Sequence, residues 1–287
     1  MKKVFVPALM GLLMLSASCS EVASGLLIDP SEMDSIEVVF SFNPYQMEPI
    51  VTKANVSIAD ISKRLDVFIV EGANVTAIHQ NKDTQAEGFG TVSATLNKTK
   101  TYTLYAVAHK GSGEASLANS ILTFADDKIT DTFFYSTTFT PAETVNLSCL
   151  MHRIVGRFKL TMTDALPDNL AKVQFTVSGS GLGYHVSGYS TNVGDKTSII
   201  NNPSSANDGT TTFNIYILAD SDEPSPVDVT VTALDADDAT IETKTFESVP
   251  IQAGYSTAYR GAFFITQGAS MTFTAPDTWN NFDEETF

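Results

Sequence analysis

The chain has 287 residues, with 33 acidic against 17 basic side chains and a formal net charge of −16. A polyanion of this strength repels phosphates, which excludes nucleic acid and anionic membrane surfaces as electrostatic partners. The length allows one large domain or two of medium size, and 43% apolar residues are enough for a large core.

Lys2 and Lys3 open the chain as a short positive region, and Val4 to Leu15 follow as an apolar run. Ser16, Ala17 and Ser18 then supply small side chains of the kind a signal peptidase accepts. This order is a secretory signal. The apolar run is shorter than the about 20 residues that cross a bilayer as a helix. Cys19, directly after the small residues, resembles the acylated cysteine of the bacterial lipobox, although Ser16 stands where that box usually carries Leu. The resemblance implies a signal peptide over residues 1–18. It also implies a lipid on the Cys19 thiol, carrying fatty acyl chains such as palmitate. Loss of Lys2 and Lys3 with the leader takes the charge to −18. Acylated Cys19 leaves Cys149 with no partner for a disulfide.

The rest of the chain alternates apolar and polar residues in short runs, the period-2 pattern of half-buried strands. In SIEVVFSF, Ile36, Val38, Phe40 and Phe42 share one face. Leu65, Val67 and Ile69 do so in RLDVFIV, and Tyr102, Leu104, Ala106 and Ala108 in TYTLYAVAH. In RIVGRFKLTM, Ile154, Phe158, Leu160 and Met162 oppose Arg153, Arg157 and Lys159. VQFTVSG, TTFNIYIL, VDVTVTAL, AYRGAFFIT and SMTFT continue the series. Turn-forming residues separate the runs, among them Glu71-Gly72, Gly111-Ser112-Gly113 and Asn207-Asp208-Gly209. Strands at this spacing predict an all-β chain of antiparallel sandwiches. A short helix is expected over residues 116–122, and a domain break between Pro141 and Asn146.

No nucleophile elbow, metalloprotease histidine pair or phosphate loop is present, so the sequence predicts a protein that is not an enzyme and takes no cofactor or metal. His79, His109, His152 and His185 are scattered, and His109 reads as a strand end. The acidic stretches 220–223 and 235–238 lack calcium-loop spacing and read as solvated turns. Trp279 is the single tryptophan.

The ordered set of motifs resembles the fimbrillin-type pilins of Bacteroidetes, a family that includes stalk subunits and lipoprotein anchor relatives. The leader ending at Cys19 comes first, then SIEVVFSF, VTKANVS, KRLDVFIVEG and LNKTKTYTLYAVAH. NLSCLMHRIVGRFKLTM resembles the strand that opens the family's second domain. VPIQAGYSTAYRGAFF and a tail with Trp279 resemble its closing strands. The resemblance implies two tandem transthyretin-like, Greek-key β-sandwich domains. On this reading residues 19–53 are a pro-segment holding the first strand, residues 54–145 the N-terminal sandwich and residues 146–287 the C-terminal one.

The resemblance also implies a mechanism. A lipoprotein precursor reaches the cell outer membrane, and a trypsin-like surface protease cuts after the first strand. The strand carrying Ile36, Val38, Phe40 and Phe42 then leaves, and a strand of another fimbrial subunit fills its place. The cut position maps best to Lys53, with Arg64 as the alternative. An uncut chain would instead keep Cys19 as a permanent anchor. The residues 269–282, with Met271 and Phe273 alternating, form a candidate donor. A competing reading is a glycan-binding outer-surface lipoprotein of a nutrient-uptake system, whose mark would be exposed aromatics on one loop face.

Overall fold

A computed structural model describes residues 34–45, 57–141, 146–220, 223–264 and 271–278. The first half holds β1 (Ser35–Pro44), α1 (Ile58–Ile61), β2 (Arg64–Glu71), β3 (Asn74–Asn81), β4 (Thr91–Asn97), β5 (Tyr102–His109), β6 (Ala115–Ala118), β7 (Ile121–Phe124), a 3-10 turn (Ala125–Asp127), β8 (Thr132–Phe139) and β9 (Asn146–Arg153). The second half holds β10 (Val155–Met162), β11 (Lys172–His185), β12 (Tyr189–Asn201), β13 (Thr211–Leu218), β14 (Ser225–Leu234), β15 (Thr240–Ile251), β16 (Tyr255–Gly261) and β17 (Met271–Thr278). The chain is all-β, as the alternation predicts.

The first ladder runs β3-β2-β5-β8-β9-β1-β4. It folds into two layers because β8 and β9 share only the pairs Phe133–Arg153 and Phe134–His152. One layer is β3-β2-β5-β8 and the other β9-β1-β4. Their inward faces interdigitate in one core: Val38, Phe40 and Phe42 from β1 meet Leu65 and Val67 from β2 and Leu104 and Ala106 from β5. Alternation puts these side chains on the buried faces because successive residues of a strand point to opposite sides.

The second sandwich packs β12-β11-β14-β15 against β13-β10-β16-β17. Phe158 and Leu160 of β10 face Phe175 of β11 and Val229 and Val231 of β14 across its core. β11 switches partners at a bulge, where the register shifts between Val177 and Ser180. Gly179 takes a φ of 82° there, which a side chain would strain.

Residues 116–122, expected as a short helix, instead form the hairpin β6–β7. Asn119 and Ser120 both take positive φ, 51° and 63°, the backbone of a tight two-residue hairpin turn. That turn, together with burial of Leu122 and Phe124, overrides the helical leaning of Leu and Ala. β7 pairs with β11 through Leu122–Tyr184 and Ile121–His185, so a piece of the first half is built into the second sheet. Phe68, Val107 and Phe134 on the outer face of the β2-β5-β8 layer pack on this hairpin and on Val155, Tyr184 and Leu218.

Candidate functional site

The first strand lies inside a sheet, with a wall on each side. β4 runs antiparallel to it from Ser35–Asn97 to Ser41–Thr91. β9 runs parallel to it from Val39–Asn146 to Pro44–Met151. Phe40 is completely buried, and Val38 and Phe42 are within 2% of it. The Phe40 ring meets Phe139 edge-on at 5.6 Å. Ile36 is half-buried at the rim of the same core. Burying four such side chains stabilises the strand's seat by on the order of 6–12 kcal/mol as an upper bound.

Under the C-terminal end of β1 sits α1. Ser57 caps it by accepting from the Ala59 N–H at 3.2 Å, and Asp60 accepts in return from the Ser57 N–H at 2.9 Å. Ile58 and Ile61 are buried. Gly90 must be glycine here, because its φ is 93° and a Cβ would stand 2.7 Å from Ile58 Cγ2. That close approach lets the Gly90 carbonyl accept from the Phe42 N–H at 2.8 Å. The Tyr45 N–H donates to the Met151 carbonyl at 2.7 Å, and its ring lies 4.5 Å from His152. Burial holds His152 below the usual imidazole range. Across from Phe42, burial pushes the Cys149 thiol up to about 11.

Ile36, Val38, Phe40 and Phe42 thus come together in one strand seat. Cys19, Lys53 and Trp279 lie outside the described residues. Arg64, the other basic candidate for a cut, is the first residue of β2. Its backbone is paired with Asn81 on one side and His109 on the other. Its Nε and Nη2 donate to the Ser112 carbonyl at 3.1 and 2.6 Å, and Glu114 lies 3.7 Å from Nη1. A protease needs extended, accessible backbone, and the backbone of Arg64 is committed on both sides. Residues 271–278, inside the candidate donor, form β17, paired to β16 of the same chain.

The scattered histidines hide one grouping. Asp66 is completely buried, and both of its carboxylate oxygens are occupied. His79 Nδ1 donates to Oδ1 at 2.7 Å, while His109 Nε2 and the Ala115 N–H donate to Oδ2 at 3.0 and 2.9 Å. The Gly111 N–H donates to His109 Nδ1 at 3.1 Å, which fixes the proton on Nε2. The only sequence signal was a lone Asp inside the alternation of LDVFIV. Among the described residues no group of three or more His, Cys, Asp or Glu could hold a metal. In the acidic stretch 235–238, Asp235 accepts from the N–H groups of Asp237 and Ala239 at 3.0 and 2.9 Å and so closes its own turn.

A family model matches residues 115–286, from β6 to the tail. The chain belongs to DUF6562, a family of unknown function. The DUF6562 match begins at Ala115, the residue that Asp66 holds and the start of the hairpin inserted into the second sheet. No curated protein matches the chain. Solved structures do. An adhesin candidate from Bacteroides ovatus is 12% identical over 85% of this chain and 95% of its own, with a TM-score of 0.53. One from Bacteroides thetaiotaomicron is 9% identical over 82% and 95%, with a TM-score of 0.50. A cell adhesion protein candidate from Bacteroides uniformis is 12% identical over 86% and 100%, also at 0.50. At these identities the likeness of this DUF6562 chain to them is one of fold.

Proposed function

We propose that the chain is a structural subunit or adhesin of a bacterial surface fimbria, exported as a lipoprotein through Cys19 and assembled by strand donation. The observation that carries this reading is the position of β1. It is an inner strand with three fully buried side chains, yet a single connection, residues 46–56, joins it to the rest of the fold. That connection contains Lys53, and the capping box at Ser57 fixes the chain again four residues later. One cut after Lys53 by a trypsin-like protease therefore severs β1, together with the lipid, from the rest of the chain and leaves α1 in place, so that a donor strand can exchange with β1.

The vacated seat presents unpaired backbone on β4 and β9 beside apolar side chains. A donated strand satisfies both at once. The donor is the segment 271–278 of another subunit, whose Met271, Phe273 and Ala275 repeat the two-residue spacing of Val38, Phe40 and Phe42. The adhesion names carried by the Bacteroides structures support a place at the cell surface, in the outer membrane while Cys19 is attached and in the fimbrium afterwards. The test is trypsin treatment of the purified chain. Mass spectrometry is expected to find an N-terminus at Ala54 and electron microscopy to find filaments. A Lys53→Ala chain that polymerises as well as the parent overturns the mechanism.

A further inference from the structure

Among the described residues, β4 has one ladder partner, and it is β1. On the strand-exchange reading, loss of β1 therefore leaves β4 with no sheet hydrogen bonds of its own. It also leaves β4 facing β9 across an empty lane. The two walls run antiparallel to each other, since β4 is antiparallel and β9 parallel to β1. They could pair directly. Closure needs β4 to move by one strand spacing, about 4.8 Å. A closed seat would admit no donor.

Two side chains from the layer that keeps all its strands hold β4 at its two ends. Gln80 of β3 reaches the entry. Its amide Nε2 donates to the Thr91 carbonyl at 2.7 Å and to the Gly88 carbonyl at 3.4 Å, while its Oε1 accepts from the Gly90 N–H at 2.9 Å. Tyr102 of β5 reaches the exit, where its hydroxyl oxygen accepts from the Asn97 N–H at 3.1 Å. Tyr102 is itself buried and packs against Phe139 at 6.0 Å, so the hydroxyl is fixed in space. Neither anchor involves β1. A shift of about 4.8 Å breaks both sets, because a donor and an acceptor about 3.6 Å or more apart no longer form a hydrogen bond.

We propose that Gln80 and Tyr102 are positioning residues that hold β4 away from β9 once β1 has left, and so keep the seat open for a donor. The inference rests on the strand-exchange reading, and the test separates the two. The full chain is nicked with trypsin and offered a fluorescein-labelled synthetic peptide of the sequence of residues 35–45, with uptake read by anisotropy. The nicked parent is expected to take up the peptide. The Gln80→Ala/Tyr102→Phe chain is expected to bind it about tenfold more weakly or worse, because a closed state populated ten to one reduces apparent affinity by that factor.

A second readout responds to closure and not to a general loss of stability. Ser93 and Asn146 lie on either side of Val39, about 9.6 Å apart and outside the about 7 Å reach of a disulfide. With Ser93→Cys and Asn146→Cys added, the nicked double variant is expected to cross-link on oxidation and the nicked parent background to stay open. If the double variant does not fold, the single variants Gln80→Ala and Tyr102→Phe are read in the same way. Equal uptake by variant and parent, with no cross-link, overturns the anchoring role while leaving strand exchange intact. A nicked parent that takes up no peptide overturns strand exchange and the anchoring role together.

Discussion

At the scale of single residues, the interior holds a charge that the sequence does not advertise. Lys196 stands opposite Val177 in the β11–β12 ladder and is 6% exposed. Its Nζ donates to the Tyr216 carbonyl at 3.1 Å. Burial pulls the amine down to about 7, with Asp127 acting weakly in the other direction. Below pH 7 the folded chain bears the full cost of a buried ammonium. Between about 7 and the ordinary lysine range near 10.4 the unfolded chain binds the extra proton, so stability rises with pH. Thermal melts from pH 6.5 to 9.5 are expected to show this rise in the parent and its absence in Lys196→Met. Parallel pH profiles in the two chains would reject the assignment. Nothing in the stretch YSTNVGDKTSIIN announced a strand, since Asn, Gly and Asp disfavour one. β12 forms because the long strand β11 offers it a ladder, a tertiary cause that no local pattern carries.

At the scale of elements, β1 was the most legible part of the chain, because four apolar residues at strict two-residue spacing leave one face to bury. Its surroundings were less so. NLSCLMHR reads as the opening of a second set of strands, yet β9 completes the first sheet by running parallel to β1, a pairing between segments about 100 residues apart. The seat therefore has a wall that only the folded chain reveals. Cys149 on that wall offers a reporter. Its thiol is buried against Tyr135, and burial raises it to about 11, so it reacts slowly while β1 is in place. Phe40→Ala removes a completely buried ring of the strand, at a cost of about 3–5 kcal/mol. The substitution is expected to lower the denaturant midpoint and to speed labelling of Cys149 by a thiol reagent at least tenfold, since each about 1.4 kcal/mol of opening free energy is a factor of ten. A lowered midpoint with unchanged labelling would mean that β1 does not open separately from the rest of the sandwich.

At the scale of the whole molecule, the two sandwiches are fastened by a part that belongs to both. The β6–β7 hairpin pairs with β11 of the second sheet, while the Ala115 N–H at its start is held by Asp66 of the first. Around it, Phe134 meets Tyr184 edge-on at 5.4 Å, and Arg153 grips Asp131 through two contacts of 2.6 and 2.9 Å. Phe68, Val107, Leu122 and Leu218 close the same cluster. An interface this apolar couples the unfolding of the two sandwiches, where a looser one would let them melt apart. Asp66 is the pin of the arrangement, because one buried carboxylate serves two imidazoles and the hairpin's first amide. Asp66→Ala leaves the His109 Nε2–H and the Ala115 N–H buried without an acceptor, which costs about 1–3 kcal/mol for each. The loss falls on the first sandwich and the hairpin, and the second core from Phe158 to Val231 is untouched. Calorimetry is therefore expected to show one transition in the parent. In the Asp66→Ala chain it is expected to show two, the earlier belonging to residues 34–153 and the later to the second sandwich. A variant that still melts in a single step at the parent's midpoint would mean that apolar packing alone joins the two halves. The polar grip on Ala115 would then be dispensable.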